Sequence, residues 1–115
     1  MTIEEYKKIK PAKYRNVRVD GYDSLKERER HHELLLLQDA GRISDLRRQV
    51  KFELIPTQRD TYGRIIEREV SYYADFVYMQ NEELIVEDCK GIRTRDYIIK
   101  RKMLLKKYGM RILET

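Results

Sequence analysis

"ELIVEDCKG", Glu83 to Gly91, starts as a buried strand and ends as something else. Leu84, Ile85 and Val86 suit a pleated core position. The same strand then runs through Glu87, Asp88, Cys89 and Lys90 before Gly91 stops it. Alternation sends Asp88 and Lys90 to one face and Glu87 and Cys89 to the other. A strand heading into a core has no structural need to finish in two carboxylates and a lysine.

Working outward, "QNEE" (residues 80–83) reads as the turn that joins this strand to the preceding one. That preceding segment, "RIIEREVSYYADFVYM" (residues 64–79), is dense in β-branched and aromatic residues and predicts one long extended stretch. Before it, "RDTYG" reads as a loop, and "VKFELIP" alternates Val50, Phe52 and Leu54 against Lys51 and Glu53 up to Pro56, a half-buried strand. "SLKE" fits a capping box, so a first helix is expected from Ser24 to a stop at Gly41, with Leu25 and the Leu34–Leu37 cluster as its apolar face. "DGYD" (residues 20–23) is turn chemistry. Residues 1–23 read as a basic arm with at most one short strand. On the other side, a second helix is expected from about Arg95 to Tyr108, closed by Gly109, and "MRILE" as a last short strand. The order helix, three strands, helix, strand predicts an α+β fold, an α/β sandwich around a central mixed sheet, because the second helix permits a crossover. Residues 24–115 form the expected single domain.

The chain has 115 residues and 14.0 kDa, enough for one domain with a modest core. Hydrophobic residues are 41% and charged residues 39% of it, so the surface must be densely charged. There is no apolar run of the ~18 residues a membrane span needs, and "MTIEEYKKIK" has no apolar signal-like region. The single cysteine, Cys89, cannot form an internal disulfide. These features point to a cytoplasmic protein with no membrane partner. The net charge of +5 is unevenly spread: residues 1–19 and 90–111 are strongly basic, and residues 20–89 are acidic. Basic ends around an acidic centre suit a protein that grips phosphates and holds a metal between them, or one whose cations only solvate two exposed faces.

A hairpin closed at residues 80–83 puts Asp75 close to opposite Asp88. Two like charges at that range are destabilising unless something positive sits between them. A divalent ion would serve, since hard oxygen ligands are what magnesium takes. Lys90, two residues beyond Asp88, would then place an ammonium beside a water or a scissile phosphate, the arrangement for phosphodiester hydrolysis. The alternative is an arginine for each acid at the end of the sheet, and an isolated Asp-x-Lys is common by chance.

The order of elements, with "YADF" and then "VEDCKG", resembles the PD-(D/E)xK nuclease superfamily. The run "SLKERERHHELLLLQDAGRISDLRRQVKFELIP" followed by "YADFVY" and "VEDCKG" is similar to small phage-type Holliday junction resolvases, over roughly Lys13 to Leu113. The resemblance implies that Asp75 bridges a metal, that Asp88 is the second acid, that Lys90 is the motif lysine, and that Glu27 of the first helix is a further metal ligand. Ala74 stands where the motif name has proline, and Asp88 is one methylene shorter than the commoner glutamate. Glu27 also has a local role as the second half of the capping box. Cys89 packs as a small apolar side chain, with its backbone carbonyl as a further metal ligand. Gln49 is read as a polar auxiliary or a turn residue. His31, one turn after Glu27, is read as a contact to DNA or to the metal shell.

The expectation is therefore a magnesium-dependent DNA endonuclease, manganese substituting, that cuts branched DNA as a homodimer, placed in the host cytoplasm if phage-encoded. Catalysis falls to Glu27, Asp75, Asp88 and Lys90. Backbone phosphates would be bound by Lys7, Lys8, Lys10, Lys13 and Arg15 of the arm, and by Lys100, Arg101, Lys102, Lys106 and Lys107 of the second helix. A general or nicking endonuclease of the same fold, and a non-catalytic DNA-binding module, are the competing readings.

Overall fold

The hairpin that carries the two aspartates lies at the centre of the molecule. The computed structural model of the chain describes residues 5–6, 21–90 and 92–115. The arm residues Lys7, Lys8, Lys10, Lys13 and Arg15, and the short strand expected near them, lie outside the described residues. In order along the chain come α1 (Leu25–Asp39), β1 (Ser44–Ile55), β2 (Gln58–Arg59), β3 (Ile65–Glu67), β4 (Val70–Gln80), β5 (Glu83–Asp88), α2 (Arg95–Tyr108) and β6 (Ile112–Glu114). The main sheet has the order β1-β4-β5-β6. Its first three strands are antiparallel neighbours, and β6 joins β5 in parallel through the α2 crossover. This is the expected α+β architecture around a central mixed sheet.

Local chemistry explains most boundaries. Ser24 caps α1, its hydroxyl accepting from the Glu27 N–H, and Gly41 (φ +76°) turns the chain out after Ala40. Thr94 caps α2 in the same way, and Gly109 closes it in the left-handed conformation. Asn81 and Glu82 both have positive φ, the two-residue turn whose twist matches a tight hairpin.

Three expectations are corrected. The four consecutive leucines of α1 do not share a face, since each residue turns ~100° around the helix axis. Leu34 is fully buried and Leu37 packs beside it, whereas Leu25, Leu35 and Leu36 are exposed. The buried stripe instead runs through Glu27, His31 and Leu34, at i, i+4 and i+7. Second, β1 starts at Ser44 rather than Val50, because "SDLRRQ", which has no alternation of its own, is held in place by β4 across the ladder. Third, the long segment 64–79 is broken. β3 leaves the main sheet and pairs with β2 in a two-stranded ribbon whose tip is the "RDTYG" stretch. Asp60 organises that tip, accepting from the N–H groups of Tyr62 and Arg64 and from Arg64 Nε. A strand with both faces in water cannot continue a core strand, and Ile65 and Ile66 are both exposed.

The sheet is covered on both sides. Val50, Phe52, Leu54, Tyr72, Ala74 and Val86 pack with Tyr97 and Leu104 of α2. Phe76 and Tyr78 pack with Leu34 of α1 and with Ile43. Tyr6 is buried in the α2-side cluster, and its hydroxyl donates to the carbonyls of Asp45 and Val77 at 2.7 and 3.0 Å. Tyr6, which falls within the expected arm, is therefore a core residue. No helix among the described residues is long and apolar enough to cross a membrane.

Candidate functional site

Glu27 enters the site from the first turn of α1, where it is 2% exposed. Its two carboxylate oxygens divide the work. Oε2 accepts from the Asp23 N–H at 3.2 Å, closing the helix end that Ser24 Oγ opens by accepting from the Glu27 N–H at 3.1 Å. Oε1 points inward, 3.2 Å from Gln49 Nε2 and 3.7 Å from an Arg48 guanidinium nitrogen. Capping and a site role are therefore compatible in one side chain. Burial raises the Glu27 pKa above the ordinary carboxylate value, with hydrogen bonding to the Asp23 backbone pulling the other way.

The strand register lines up the remaining groups. The pairs Arg48↔Phe76 and Val50↔Ala74 flank Gln49 and Asp75, so these two face each other across β1 and β4. The pair Phe76↔Glu87 brings Asp75 level with Asp88 across β4 and β5. Asp75 Oδ1 accepts from Gln49 Nε2 at 3.2 Å, and Oδ2 accepts from the Cys89 N–H at 3.0 Å. Burial first, then the hydrogen bond with and repulsion from Asp88, then the charge of Glu27, push the Asp75 carboxyl up to about 8. It therefore favours its proton unless a cation takes the proton's place.

Asp88 is 2% exposed, accepts a short hydrogen bond from the Tyr72 hydroxyl, and lies 3.4 Å from Lys90 Nζ. The Lys90 ammonium also sits 4.4 Å from the centre of the Tyr97 ring. Asp88 and Lys90 thus lean to the α2 layer, as alternation requires, while Glu87 and Cys89 lean to α1. Carboxylate oxygens of Asp23, Glu27 and Asp75 all lie within 4.8 Å of one another, close enough to share an ion. Asp88 stands beside this trio, level with Asp75 across the ladder, and its presence helps to raise the Asp75 carboxyl. The donor set is all oxygen, which fits a hard divalent cation such as magnesium or manganese.

Several residues behave differently from what the sequence suggests. Asp23, read as turn chemistry, contributes both a backbone donor and a carboxylate. Its spacing of four residues before Glu27, across a helix cap, was the available signal. His31 is part of the core rather than of the site: it stacks on Phe76, pairs with the Tyr22 hydroxyl at 2.6 Å through Nδ1, and is held down to about 4 mainly by burial. The Cys89 thiol is raised by burial and packs against the α1-side cluster. Glu87, fully buried, receives Arg30 Nε and Nη2 at 2.6 and 2.9 Å and the Tyr78 hydroxyl at 2.8 Å, a charge pair spanning 57 residues.

On α2, Lys102, Lys106 and Lys107 are exposed, while Lys100 and Arg101 are half-buried. Among the described residues, two of the five cations have internal partners: Arg101 reaches Glu114 at 3.5 Å, and Lys107 donates to the Glu53 carbonyl at 2.9 Å. Lys106 and Lys107 also lie in the last turn, where positive charge complements the helix dipole. Phosphate binding by this helix would rest chiefly on Lys102 and Lys106.

The arrangement can concentrate negative charge in a half-buried corner, hold a cation there, and present an ammonium beside it. No curated protein and no solved structure matches the chain. A family model does match residues 6–113, nearly the whole length. The chain belongs to the family described as "Protein of unknown function (DUF1064)".

Proposed function

We propose that this protein is a divalent-metal-dependent DNA endonuclease of the PD-(D/E)xK type, cutting branched DNA as a homodimer. The observation that carries the reading is Asp75. Its carboxyl lies opposite Asp88 across the ladder and within 4.8 Å of carboxylate oxygens of Glu27 and Asp23, a crowding of acids that a divalent cation would relieve. Glu27, Asp75 and Asp88 would hold the ion, with Asp23 at the rim and the backbone carbonyl of Cys89 as a further ligand. A bound magnesium would supply positive charge against the phosphate and a more acidic water.

The chain's own groups do the rest. Lys90, beside Asp88, offers an ammonium to the phosphate oxygens as negative charge builds on them, or steadies the attacking water. In the hydrolytic step, the water oxygen gives up a proton as it bonds to phosphorus, the bond from phosphorus to one sugar oxygen breaks, and that oxygen takes up a proton. Lys102 and Lys106 would contact backbone phosphates, which requires no base readout. Two cuts related by near two-fold symmetry need two active sites, hence the homodimer.

The test compares a four-way junction with a linear duplex of the same sequence, each with magnesium and with chelator. Paired, symmetric, metal-dependent cuts confined to the junction support the full reading, as does a light-scattering mass of twice 14.0 kDa. Equal cleavage of both substrates reduces it to a general or nicking endonuclease. DNA binding without metal-dependent cleavage of either refutes it in favour of a binding module.

A further inference from the structure

Gln49 sits inside β1 with φ of +51°, a left-handed conformation that side chains other than glycine, asparagine and aspartate rarely adopt. It is not at a turn. The ladder on both sides of it is regular, with Arg48 paired to Phe76 and Val50 to Ala74. Backbone strain in mid-strand persists only when the surroundings hold it there, and such strain clusters at working sites. Here the consequence is visible. The twist aims the side-chain amide between two acids from different elements, and its Nε2 lies 3.2 Å from both Glu27 Oε1 and Asp75 Oδ1. One nitrogen with two hydrogens satisfies both carboxylates.

A neutral amide has a property that a lysine or arginine at this place would lack. It fixes the spacing of the acids without adding a charge that would repel a cation. Its hydrogen bonds are weak enough to be exchanged when a stronger partner arrives. We propose that Gln49 is a positioning residue, held in a strained conformation so that it sets Glu27 and Asp75 in register to receive a divalent cation. The inference rests on the metal reading of the site.

The test uses the full-length protein and two variants. Gln49→Gly suits φ of +51° but lacks the amide; Gln49→Met keeps the volume but cannot donate. Manganese binding is followed by titration calorimetry, and unfolding by circular dichroism in chelator. The positioning role predicts that both variants lose at least tenfold in manganese affinity, while Gln49→Gly unfolds in chelator at the wild-type temperature or above it. A folded variant pair that binds manganese within twofold of wild type overturns the proposal and leaves the metal site standing. A wild type that binds no manganese overturns both. Weakened binding in the variants, together with a wild type that cleaves no DNA, removes the nuclease reading and supports the role of Gln49.

Discussion

Replacing Asp75 by asparagine should stabilise the metal-free protein, and the gain should grow with pH. The carboxyl is pushed from 3.8 up to about 8, chiefly by burial and by Asp88. A folded state that holds this proton more tightly than the unfolded chain contributes stability in full below about pH 4. That stability drains away as the pH rises toward 8, because the unfolded chain releases the proton first. One unit of pKa is worth about 1.4 kcal/mol, so the contribution lost between about pH 5 and pH 8 is on the order of 3–4 kcal/mol. Water reaching the half-buried carboxyl screens part of that, leaving about 2 kcal/mol. The neutral amide of the variant titrates nowhere in this range. For a domain of this size, such a difference corresponds to about 8 °C in Tm. The measurement is thermal unfolding in chelator at several pH values, for wild type and Asp75→Asn. The curves should nearly coincide at about pH 5 and separate by several degrees at about pH 8, with the variant higher. Adding magnesium at the higher pH should close the gap by stabilising the wild type alone. A wild type whose Tm difference from the variant is flat across this range, or reversed in sign, would refute the crowding argument and with it the metal site.

The other expectations are shorter. Lys90→Ala should lower cleavage by orders of magnitude at saturating metal while barely changing metal affinity, since in the proposed mechanism the ammonium acts on developing charge; a collapse of metal binding with normal turnover would make the lysine structural. Arg30→Met should cost about 3–5 kcal/mol in urea unfolding, because among the described residues Glu87 would be left as a buried charge with only the Tyr78 hydroxyl and a distant Thr115 hydroxyl as partners; a variant as stable as wild type would show that Glu87 does not need the pair. Lys102→Ala with Lys106→Ala should weaken binding to every DNA form and reduce the salt dependence by about one or two counterions; an unchanged slope would mean that α2 only faces solvent.

The parts legible in the sequence were those whose causes lie within a few residues. Ser24 with Glu27, Gly41 after α1, Gly109 after α2 and the Asn81–Glu82 turn each act through hydrogen bonds or dihedrals of three or four neighbours. Once the turn is placed, a ladder of fixed spacing carries Asp75 to Asp88, which is why that pairing could be read without coordinates. The stretches "YADF" and "VEDCKG", which carry the resemblance, contain the same two acids.

What only the tertiary structure decided depended on partners far along the chain. The leucine run could not say which leucine packs, because that is set by where α1 lies on Phe76 and Tyr78. "SDLRRQ" becomes strand because β4 supplies its hydrogen bonds, against the absence of any alternation. Ile65 and Ile66 look like core residues in one dimension and are exposed in the ribbon. Arg30 finds Glu87 across 57 positions, and His31 is spent on Tyr22 and Phe76. Asp23 and Gln49 join the site because a helix cap and a strained strand residue arrive at the same corner. Composition and spacing record which groups are available, and local rules set the conformations of short segments. Which groups meet in a corner follows from strand register and helix placement, and these minimise the free energy of the whole chain rather than of any one segment.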